Sequence, residues 1–371
     1  MKVEAFDFDL PADLIAQEAA ARGESRLLVL ERDTGKLDHS SVRNLPSFLH
    51  PGDLLVTNDT RVFPARLLGR RDPSGGIVEC LLLHSEHPEH PEHPAHPEHL
   101  AHPAHLAHLA HPREVWHALM HPGQKLKPGA RVIFEGHGHV LRGEVLERLF
   151  YGRRRIRLEA ESGTVADAID AIGHIPLPPY IHRPDTPADR ERYQTVYAAA
   201  RGSIAAPTAG LHFDAPLLAA IDAAGVERVS VTLHVGYGTF KPVRVEDVEA
   251  HAVDPEPYEI SDRAAHAINR ALDDGRRVVA VGTTTTRALE HAARAGQGRL
   301  RPGRADADLF IYPGFEFRAI GGLLTNFHLP RSSLLMLVSA FAGRERVLDA
   351  YREAVAQRYR FYSYGDAMLL G

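Results

Sequence analysis

The sequence predicts an α/β protein with a mixed-sheet main domain, covered by helices, and an inserted small all-β domain of barrel type. Beyond Gly163, apolar strand-like runs alternate with helix-period segments, which is typical of a sheet covered by helices. From residue 62 to about residue 160, strand-like runs follow one another without a helix-period segment of useful length. We therefore expect residues 1–60 and 161–371 to form the main domain and residues 61–160 to form the insertion.

The first part of the main domain should contain one helix and three strands. Residues 12–21 predict a short helix, and residues 27–30, 37–42 and 53–57 predict strands that join the main sheet. In the inserted domain, strands are predicted at residues 64–69, 77–83, 115–120, 130–134, 140–149 and 154–158.

The second part of the main domain should alternate helices and strands. Residues 229–235 alternate apolar and polar side chains, which predicts a half-buried strand with His234 on its polar face. Ser261 is a good N-cap for a helix that Gly275 ends. The other predicted elements are helices at residues 216–224, 286–295, 332–341 and 345–358 and strands at residues 278–281 and 309–312.

A tract of low complexity, residues 86–112, interrupts the inserted domain. Histidine recurs at every third residue from His87 to His111, with Pro, Ala, Glu and Leu between. A period of three fits polyproline II, which would align the imidazoles as a metal-binding strip. The alternative, which we favour, is an expanded repeat in a hairpin loop, because evenly spaced histidines do not supply the fixed tetrahedral geometry of a zinc site.

Composition limits the classes of function. A length of 371 residues suggests two domains, and a net charge of −5 means that any nucleic-acid binding must use local basic patches. Cys80 is the only cysteine, so an internal disulfide is excluded and a reducing cytoplasm is expected. The longest apolar-rich run, residues 334–342, is too short to span a bilayer.

A threonine-rich turn is the first candidate site. Gly282-Thr283-Thr284-Thr285-Thr286-Arg287 connects an apolar strand to a helix. The free N–H groups and the helix dipole at such a junction suit a phosphate or a carboxylate. The second Gly and the Lys of a P-loop are missing, and threonine capping of the helix is the alternative explanation.

Histidines beside turns are the second candidates. His212 follows the turn Pro207-Thr208-Ala209-Gly210, and His234 precedes Gly236 and Gly238. Sites are often built where strands meet loops. Tight turns with two hydrogen-bonded histidines would give the same pattern.

Three further segments place polar groups at element ends. Asn58-Asp59-Thr60-Arg61 ends a predicted strand and is either a capped turn or a ligand-facing edge. Asn326 and His328 lie just ahead of a helix. Aromatic rings surround Asp366, where they could stack a base or simply fill the core.

Eight sequence blocks carry a resemblance to a known family. They are NDTRVFPARL, PLPPYI, RYQTVYA with GSIAAPTAGLHF, TLHVGYGTF, VGTTTTRALE, FIYPGFEF, TNFHLP with SSLLMLVSAFAG, and YRFYSYGDAML. In this order they resemble the S-adenosylmethionine:tRNA ribosyltransferase-isomerases of queuosine biosynthesis, from about Phe6 to Leu370, with the histidine tract as an extra.

The resemblance implies a reaction. The ribosyl part of S-adenosylmethionine would be transferred to 7-aminomethyl-7-deazaguanine at the wobble position of a tRNA, giving epoxyqueuosine with release of adenine and methionine. The partner is then tRNA, no metal is chemically required, and we expect a cytoplasmic monomer without a membrane or protein partner. Histidine suits the proton transfers because its unperturbed pKa lies near neutrality.

The resemblance also assigns residues. The catalytic candidates are His212, His234, His328, Asp59 and Asp366. The candidates for holding S-adenosylmethionine are Gly282, Thr283, Thr284, Arg287, Glu290, Arg61, Asn58 and Asn326. The candidates for binding the substrate are Tyr193, Thr208, Phe213, Thr239 and Phe240.

The sequence departs from the family pattern H-x-M-H-x-E, since residues 251–256 place Asp254 where a second histidine is expected. A proton-transfer role at that position is therefore in doubt, although an aspartate could still act as a base. Two alternatives to the tRNA reaction remain at this point: a metal-binding or storage protein that uses the histidine tract, and a phosphate-binding α/β hydrolase that uses the threonine-rich turn.

Overall fold

A computed structural model describes residues 1–86, 112–240 and 242–371, and these form two compact units. Met1–Val62 and Leu177–Gly371 form the first unit, and Phe63–Pro176 form the second. The sequence predicts these two junctions near residues 60 and 160.

The strands, in chain order, are β1 (Arg26–Leu30), β2 (Leu37–Ser41), β3 (Leu54–Asn58), β4 (Thr60–Val62), β5 (Arg66–Asp72), β6 (Ile77–Glu86), β7 (Arg113–His121), β8 (Arg131–Gly136), β9 (His139–Arg148), β10 (Arg153–Ala160), β11 (Ala200–Ser203), β12 (Glu227–Leu233), β13 (Glu256–Ile260), β14 (Val278–Val281), β15 (Gly303–Ala307), β16 (Gly322–Asn326) and β17 (Ala367–Leu370). The α-helices are α1 (Val165–Ile172), α2 (Asp189–Arg192), α3 (Ala215–Ala223), α4 (Asp262–Asp273), α5 (Thr283–Ala295), α6 (Ser333–Ala342) and α7 (Arg344–Ala356).

The first unit is built on a nine-stranded mixed sheet with the order β15-β13-β12-β3-β14-β16-β17-β1-β2. Strands β12, β3, β14 and β16 run parallel to one another, whereas β17 runs antiparallel to β16 and parallel to β1. The predicted mixed sheet with helices is confirmed, and the strands before residue 60 do join it.

Both faces of this sheet are buried. Leu54 and Val56 of β3 pack into one apolar cluster, and Leu55 packs into a second cluster. Alternate residues of a strand point to opposite faces, so the continuous apolar run of β3 serves two cores at once. The same reasoning explains why β14 (VVAV) is apolar throughout.

The second unit is a closed barrel with the strand order β10-β7-β6-β5-β8-β9, in which every pairing is antiparallel. The predicted all-β barrel is therefore confirmed. Gly143 is required on β9, because a Cβ there would lie 2.6 Å from Val132 Cγ2 and 2.8 Å from Ile156 Cδ1. Helix α1, capped by Thr164, packs against β8, β9 and β10.

Two predicted elements are wrong. Residues 12–21 form only a 3-10 turn, Ala12–Leu14, because Ile15 is already extended and the chain then turns to pair elsewhere. Residues 309–312 are not a strand; the strand is β15, which pairs with β13 and ends before residue 309. In the described part of the chain, none of the helices has the length and apolarity that crossing a membrane requires.

The histidine tract, residues 87–111, lies outside the described residues. Its flanking strands are described, and β6 pairs with β7 up to Glu86 opposite Val115. Glu86 also accepts a hydrogen bond from Arg155 Nε at 2.6 Å and pairs with His117 Nε2 at 2.9 Å. The two ends of the tract are thus held side by side by the barrel itself.

Replacement of residues 87–111 by a short Gly/Ser turn, with Glu86 retained, should leave the barrel intact. Each doubling of loop length costs only about 0.6 kcal/mol of closure free energy, so the thermal midpoint should change by less than about 4 °C. As a control, extending the replacement through Glu86 should cost more stability, because Arg155 and His117 both lose the Glu86 carboxylate, and Arg155 keeps only Glu147. A large drop with Glu86 retained would contradict the loop interpretation.

Candidate active site

The carboxyl ends of four parallel strands bring the polar segments together. Strands β3, β12, β14 and β16 end at Asn58, Leu233, Val281 and Asn326, and parallel strands present these ends at one edge of the sheet. Because β17 runs the opposite way, the residues before it reach the same edge. Ligands in open α/β sheets bind at this edge.

A cavity lies at this edge, with about 550 Å³ of empty space that includes open solvent. Its lining residues come from the loops that follow or precede the strands. They are Tyr180, Ala205, Ala206, Pro207, Thr208, Ala209, Val235, Thr239, Gly282, Thr283, Thr284, Thr325, Asn326, Phe327, His328, Leu334, Tyr362 and Ser363. His328 is the histidine among these lining residues, and none of them is an aspartate, a glutamate or an arginine.

The threonine-rich turn forms the first turn of α5, three residues earlier than predicted. Gly282 makes the entry with φ of 92°, which favours glycine. Thr285 Oγ1 donates to Val281 O at 2.7 Å, and Thr286 Oγ1 donates to Gly282 O at 3.2 Å. These bonds give the two buried hydroxyls a partner. Thr284 Oγ1 differs, because it is buried and has no hydrogen-bond partner among the described residues.

Asn326 connects His212 to the cavity. Asn326 Nδ2 donates to His212 Nε2 at 3.1 Å, so that Nδ1 of His212 carries the proton and donates to Ser25 Oγ at 2.9 Å. Burial, followed by the positive charges of Arg192, Arg360 and Arg22, lowers the pKa of His212 to about 3. His212 is thus a neutral, oriented group behind the cavity. Asn326 Oδ1 is buried and has no partner in the described part of the chain.

His328 lies on the cavity wall. Its Nε2 is 2.9 Å from Thr325 Oγ1, and its backbone N–H donates to the Tyr351 hydroxyl at 3.1 Å. Burial lowers the pKa of His328 to about 3, so this imidazole is also neutral at physiological pH.

His234 follows β12 rather than lying on it, since the strand ends at Leu233. Its Nδ1 is 2.7 Å from Thr60 Oγ1, and a Cβ at Gly202 would lie within 2.7–2.9 Å of the ring atoms. Glycine at position 202 therefore makes room for this imidazole. The structure places His234 beside β4 and β11, next to the cavity residue Val235.

The residues of the tetrapeptide at the end of β3 have different roles. Asn58 Oδ1 accepts from the N–H groups of Thr60 and Leu233, and Asn58 Nδ2 donates to Leu233 O, which makes Asn58 a structural link between strands. Asp59 accepts from Thr232 Oγ1 at 2.6 Å, and burial raises the pKa of its carboxyl. Arg61 is exposed.

Arg287 is buried, and its guanidinium binds acceptors of the protein itself. It donates to Leu309 O and Ala307 O and forms an ion pair with Glu256. The other oxygen of Glu256 accepts from Gly236 N–H at 2.9 Å and Thr239 Oγ1 at 3.1 Å. This ion pair therefore ties helix α5 to the glycine-rich turn that carries Thr239.

Two further candidate carboxylates are used to hold backbone. Glu290 accepts from the N–H groups of Arg318, Ala319 and Ile320 at 2.8–3.1 Å. Burial raises the pKa of Glu290, against the effect of these three amides. Asp366 accepts from Arg26 N–H at 3.0 Å and from Arg360 N–H at 2.8 Å, which fixes the segment carrying Tyr362 and Ser363 against β1.

The five substrate-binding candidates lie in different environments. Thr208 and Thr239 line the cavity. Phe213 is fully buried in the second apolar cluster, and Tyr193 is fully buried with its ring edge-on to Tyr364. Phe240 ends the 3-10 turn Tyr237–Phe240, and its side chain lies outside the described part of the structure.

Several residues that build the site carry no strong signal of their own in the sequence. Tyr180, Tyr362 and Ser363 line the cavity, and Glu256 supports it. Three of these four stand in sequence blocks that carried the resemblance, and that was the available signal. Asp254, at the altered position of the histidine motif, lies against Gly238 in a second cavity beside Glu256 and Arg287.

The cavity therefore offers a small-molecule ligand hydroxyls, one amide, backbone N–H groups and aromatic faces. Tyr180 and Tyr362 meet edge to face, with ring centroids 3.8 Å apart. In the described ranges, no cluster of three or more His, Cys, Asp or Glu side chains is arranged to hold a metal ion.

Comparisons with known proteins cover the whole chain. The family described as queuosine biosynthesis protein matches residues 3–370. S-adenosylmethionine:tRNA ribosyltransferase-isomerases from Desulfitobacterium hafniense and Symbiobacterium thermophilum are 47% and 48% identical over 371 residues, with 100% of both chains covered. The crystal structure of an S-adenosylmethionine tRNA ribosyltransferase from Thermotoga maritima, 34% identical, covers 99% of this chain and 100% of its own, with a TM-score of 0.52. Sequence family, full-length relatives and fold agree, and the chain belongs to the queuosine biosynthesis protein family.

Proposed function

We propose that this chain transfers and isomerises the ribosyl part of S-adenosylmethionine onto 7-aminomethyl-7-deazaguanine in the wobble position of tRNA. The products are epoxyqueuosine in tRNA, adenine and methionine. The full-length similarity to ribosyltransferase-isomerases carries this proposal. The metal-storage and hydrolase alternatives have no comparable support. The enzyme acts as a cytoplasmic monomer and requires no metal.

The methionine carboxylate is assigned to the start of α5. The N–H groups of Thr283, Thr284 and Thr285 precede the first helical hydrogen bond, Thr286 N–H to Gly282 O at 3.1 Å, and are free to bind an anion. Arg287 is not available for this role, because its donors are already engaged. Its contribution is to hold the helix and the turn of Thr239 in place.

S-adenosylmethionine supplies a sulfonium that acidifies the adjacent C–H bonds of the ribose. The aromatic faces of Tyr180, Tyr362 and Phe327 suit a positively charged group, since aromatic rings attract cations. The unpartnered oxygens Asn326 Oδ1 and Thr284 Oγ1 are assigned to hydrogen bonds with the ligand, because a buried polar atom without a partner is costly.

Proton transfer is assigned to His328, the cavity-lining imidazole. Its pKa of about 3 keeps it neutral at physiological pH, so that one ring nitrogen is unprotonated. His212 positions Asn326, and Asp366 positions the segment of Tyr362. His234 and the half-buried Asp59 remain candidates for handling the protons of the substrate amine.

The reaction can be tested directly. Incubation with S-adenosylmethionine and tRNA that carries the deazaguanine precursor should give epoxyqueuosine, adenine and methionine in equal amounts, measured by nucleoside mass analysis. A chelator should not change the rate. Methyl transfer from S-adenosylmethionine in place of ribosyl transfer would contradict the proposal.

Thr284→Val tests the ligand assignment at a side chain with no internal bond to lose. We expect unchanged stability and a roughly 2- to 10-fold weaker affinity for S-adenosylmethionine, the value of one hydrogen bond. Thr285→Val is the matched control, because it removes the bond to Val281 O and should lower stability without weakening the binding of S-adenosylmethionine. Equal affinities for Thr284→Val and the parent chain, measured by calorimetry, would refute the assignment.

His328→Gln tests proton transfer, because glutamine can keep the hydrogen bond to Thr325 but cannot accept a proton. Turnover should fall by about 10²–10⁴-fold. Since burial lowers the pKa of His328 to about 3, this group does not titrate between about pH 5 and pH 8. Any acid limb of kcat/KM in that interval should therefore persist in the residual activity of the variant. Disappearance of the limb, or near-normal turnover, would show that the assignment is wrong.

A further inference from the structure

The barrel carries two fully displayed aromatic rings. Phe150 and Tyr151, in the turn between β9 and β10, are 86% and 97% exposed. Tyr151 adopts a left-handed backbone conformation, with φ of 55° and ψ of 36°, which is uncommon for a residue other than glycine. The structure thus maintains an unfavourable backbone conformation at a position where two apolar rings meet solvent.

A buried arginine fixes this turn. Arg154, 1% exposed, donates to Leu126 O at 2.9 Å, to Gly123 O at 2.6 Å and to Arg153 O at 2.8 Å. It thereby joins the aromatic turn to the loop of residues 122–127. The bond from Leu149 N–H to Arg153 O, 2.9 Å long, closes the turn itself. The rings are therefore mounted on a preorganised surface, which lowers the entropy cost of binding.

Positive charge is concentrated on the same two loops. Residues 122–127 and 148–154 contain five lysines and arginines and no Asp or Glu, although the whole chain has a net charge of −5. Lys125, Lys127 and Arg148 are exposed and make no ion pair within the described residues.

The remaining surface of the barrel is different. Its strand arginines pair with carboxylates on neighbouring strands, including Arg66 with Glu79, Arg70 with Glu135, Arg113 with Glu159, Arg142 with Glu161, Arg155 with Glu86, and Arg157 with Glu144. Within the sequence RRRIR of residues 153–157, Arg155 and Arg157 are thus neutralised by carboxylates. Uncompensated positive charge is left at the loops that hold the rings.

We infer that the loops of residues 122–127 and 148–154 bind single-stranded RNA, with Phe150 or Tyr151 stacked on an unpaired base and Lys125, Lys127 and Arg148 on the adjacent phosphates. Exposed aromatic rings beside cations are the pattern by which proteins hold unpaired nucleotides. An apolar protein partner would not require the cations, and a phosphate backbone alone would not require the rings. This inference rests on the proposed function, which supplies tRNA as the RNA.

The test compares two triple variants of the full-length chain in tRNA binding without S-adenosylmethionine. Lys125→Gln/Lys127→Gln/Arg148→Gln removes the unpaired charges, and Arg70→Gln/Arg113→Gln/Arg157→Gln removes three arginines that already have carboxylate partners. We expect the first to weaken binding and to reduce the slope of log K against log salt by about 0.7–0.9 for each phosphate that the protein no longer neutralises. The control triple should change both quantities much less, although it alters the net charge equally.

The rings are tested by Phe150→Ser/Tyr151→Asn, because asparagine tolerates the left-handed backbone at position 151. Loss of the stacking contact with one base should raise the Kd for tRNA about 5- to 150-fold, with the salt slope unchanged. Tyr151→Phe keeps the ring and should bind like the parent. In turnover assays the serine/asparagine variant should raise KM for tRNA while kcat at saturating tRNA stays close to that of the parent.

The outcomes separate this inference from the proposed function. If the parent chain ribosylates tRNA while both loop variants bind tRNA as tightly as the control, the inference is overturned and the function stands. If the parent forms no ribosylated product but binds tRNA through these loops, the function falls and the RNA surface stands. A lipid surface is the other possible ligand of exposed rings beside cations. If the loop variants lose binding to anionic lipid vesicles but bind tRNA as tightly as the parent chain, the RNA assignment is overturned.

Discussion

The parallel alignment of β12, β3, β14 and β16 is the constraint on which the site depends. Because parallel strands end on the same side, the strand pairing itself brings residues from four distant parts of the chain to one edge. The reversed strand β17 adds the segment of Tyr362 and Ser363 to that edge. The apolar burial of the central strands on both faces makes this register costly to change, since a shift by one residue would exchange the two cores.

How far the sequence could predict the structure depended on the range of the interactions involved. Strand β14 was predicted with its observed limits because four consecutive apolar residues and a following glycine are local signals. The start of α5 was predicted three residues late, because threonine propensity argues against helix and the partners of the buried hydroxyls, Val281 O and Gly282 O, are apparent only in the fold. The helix predicted at residues 12–21 is wrong for the opposite reason. The local sequence permits a helix there, but the tertiary structure does not support one.

The site shows the same difference between local signals and long-range interactions. The sequence indicated which blocks carry chemistry, but the role of a side chain is decided by its partners. The partner of Arg287 is Glu256, 31 residues away, and the partner of His212 is Asn326, 114 residues away. No periodicity reports such pairs. As a result, charged residues that looked like ligand contacts, such as Arg287 and Glu290, are instead found holding turns and helices in position.

This use of charge has a chemical consequence. In the first unit, backbone amides and two arginine side chains engage Glu256, Glu290 and Asp366, and only neutral groups line the cavity. A fixed carboxylate beside a sulfonium would offset the positive charge that acidifies the neighbouring C–H bonds and would stabilise the ground state. Neutral dipoles and aromatic faces hold the cation while leaving that acidity largely in place. The low pKa values of His212 and His328 follow from the burial of these side chains, because burial disfavours the charged form of an imidazole.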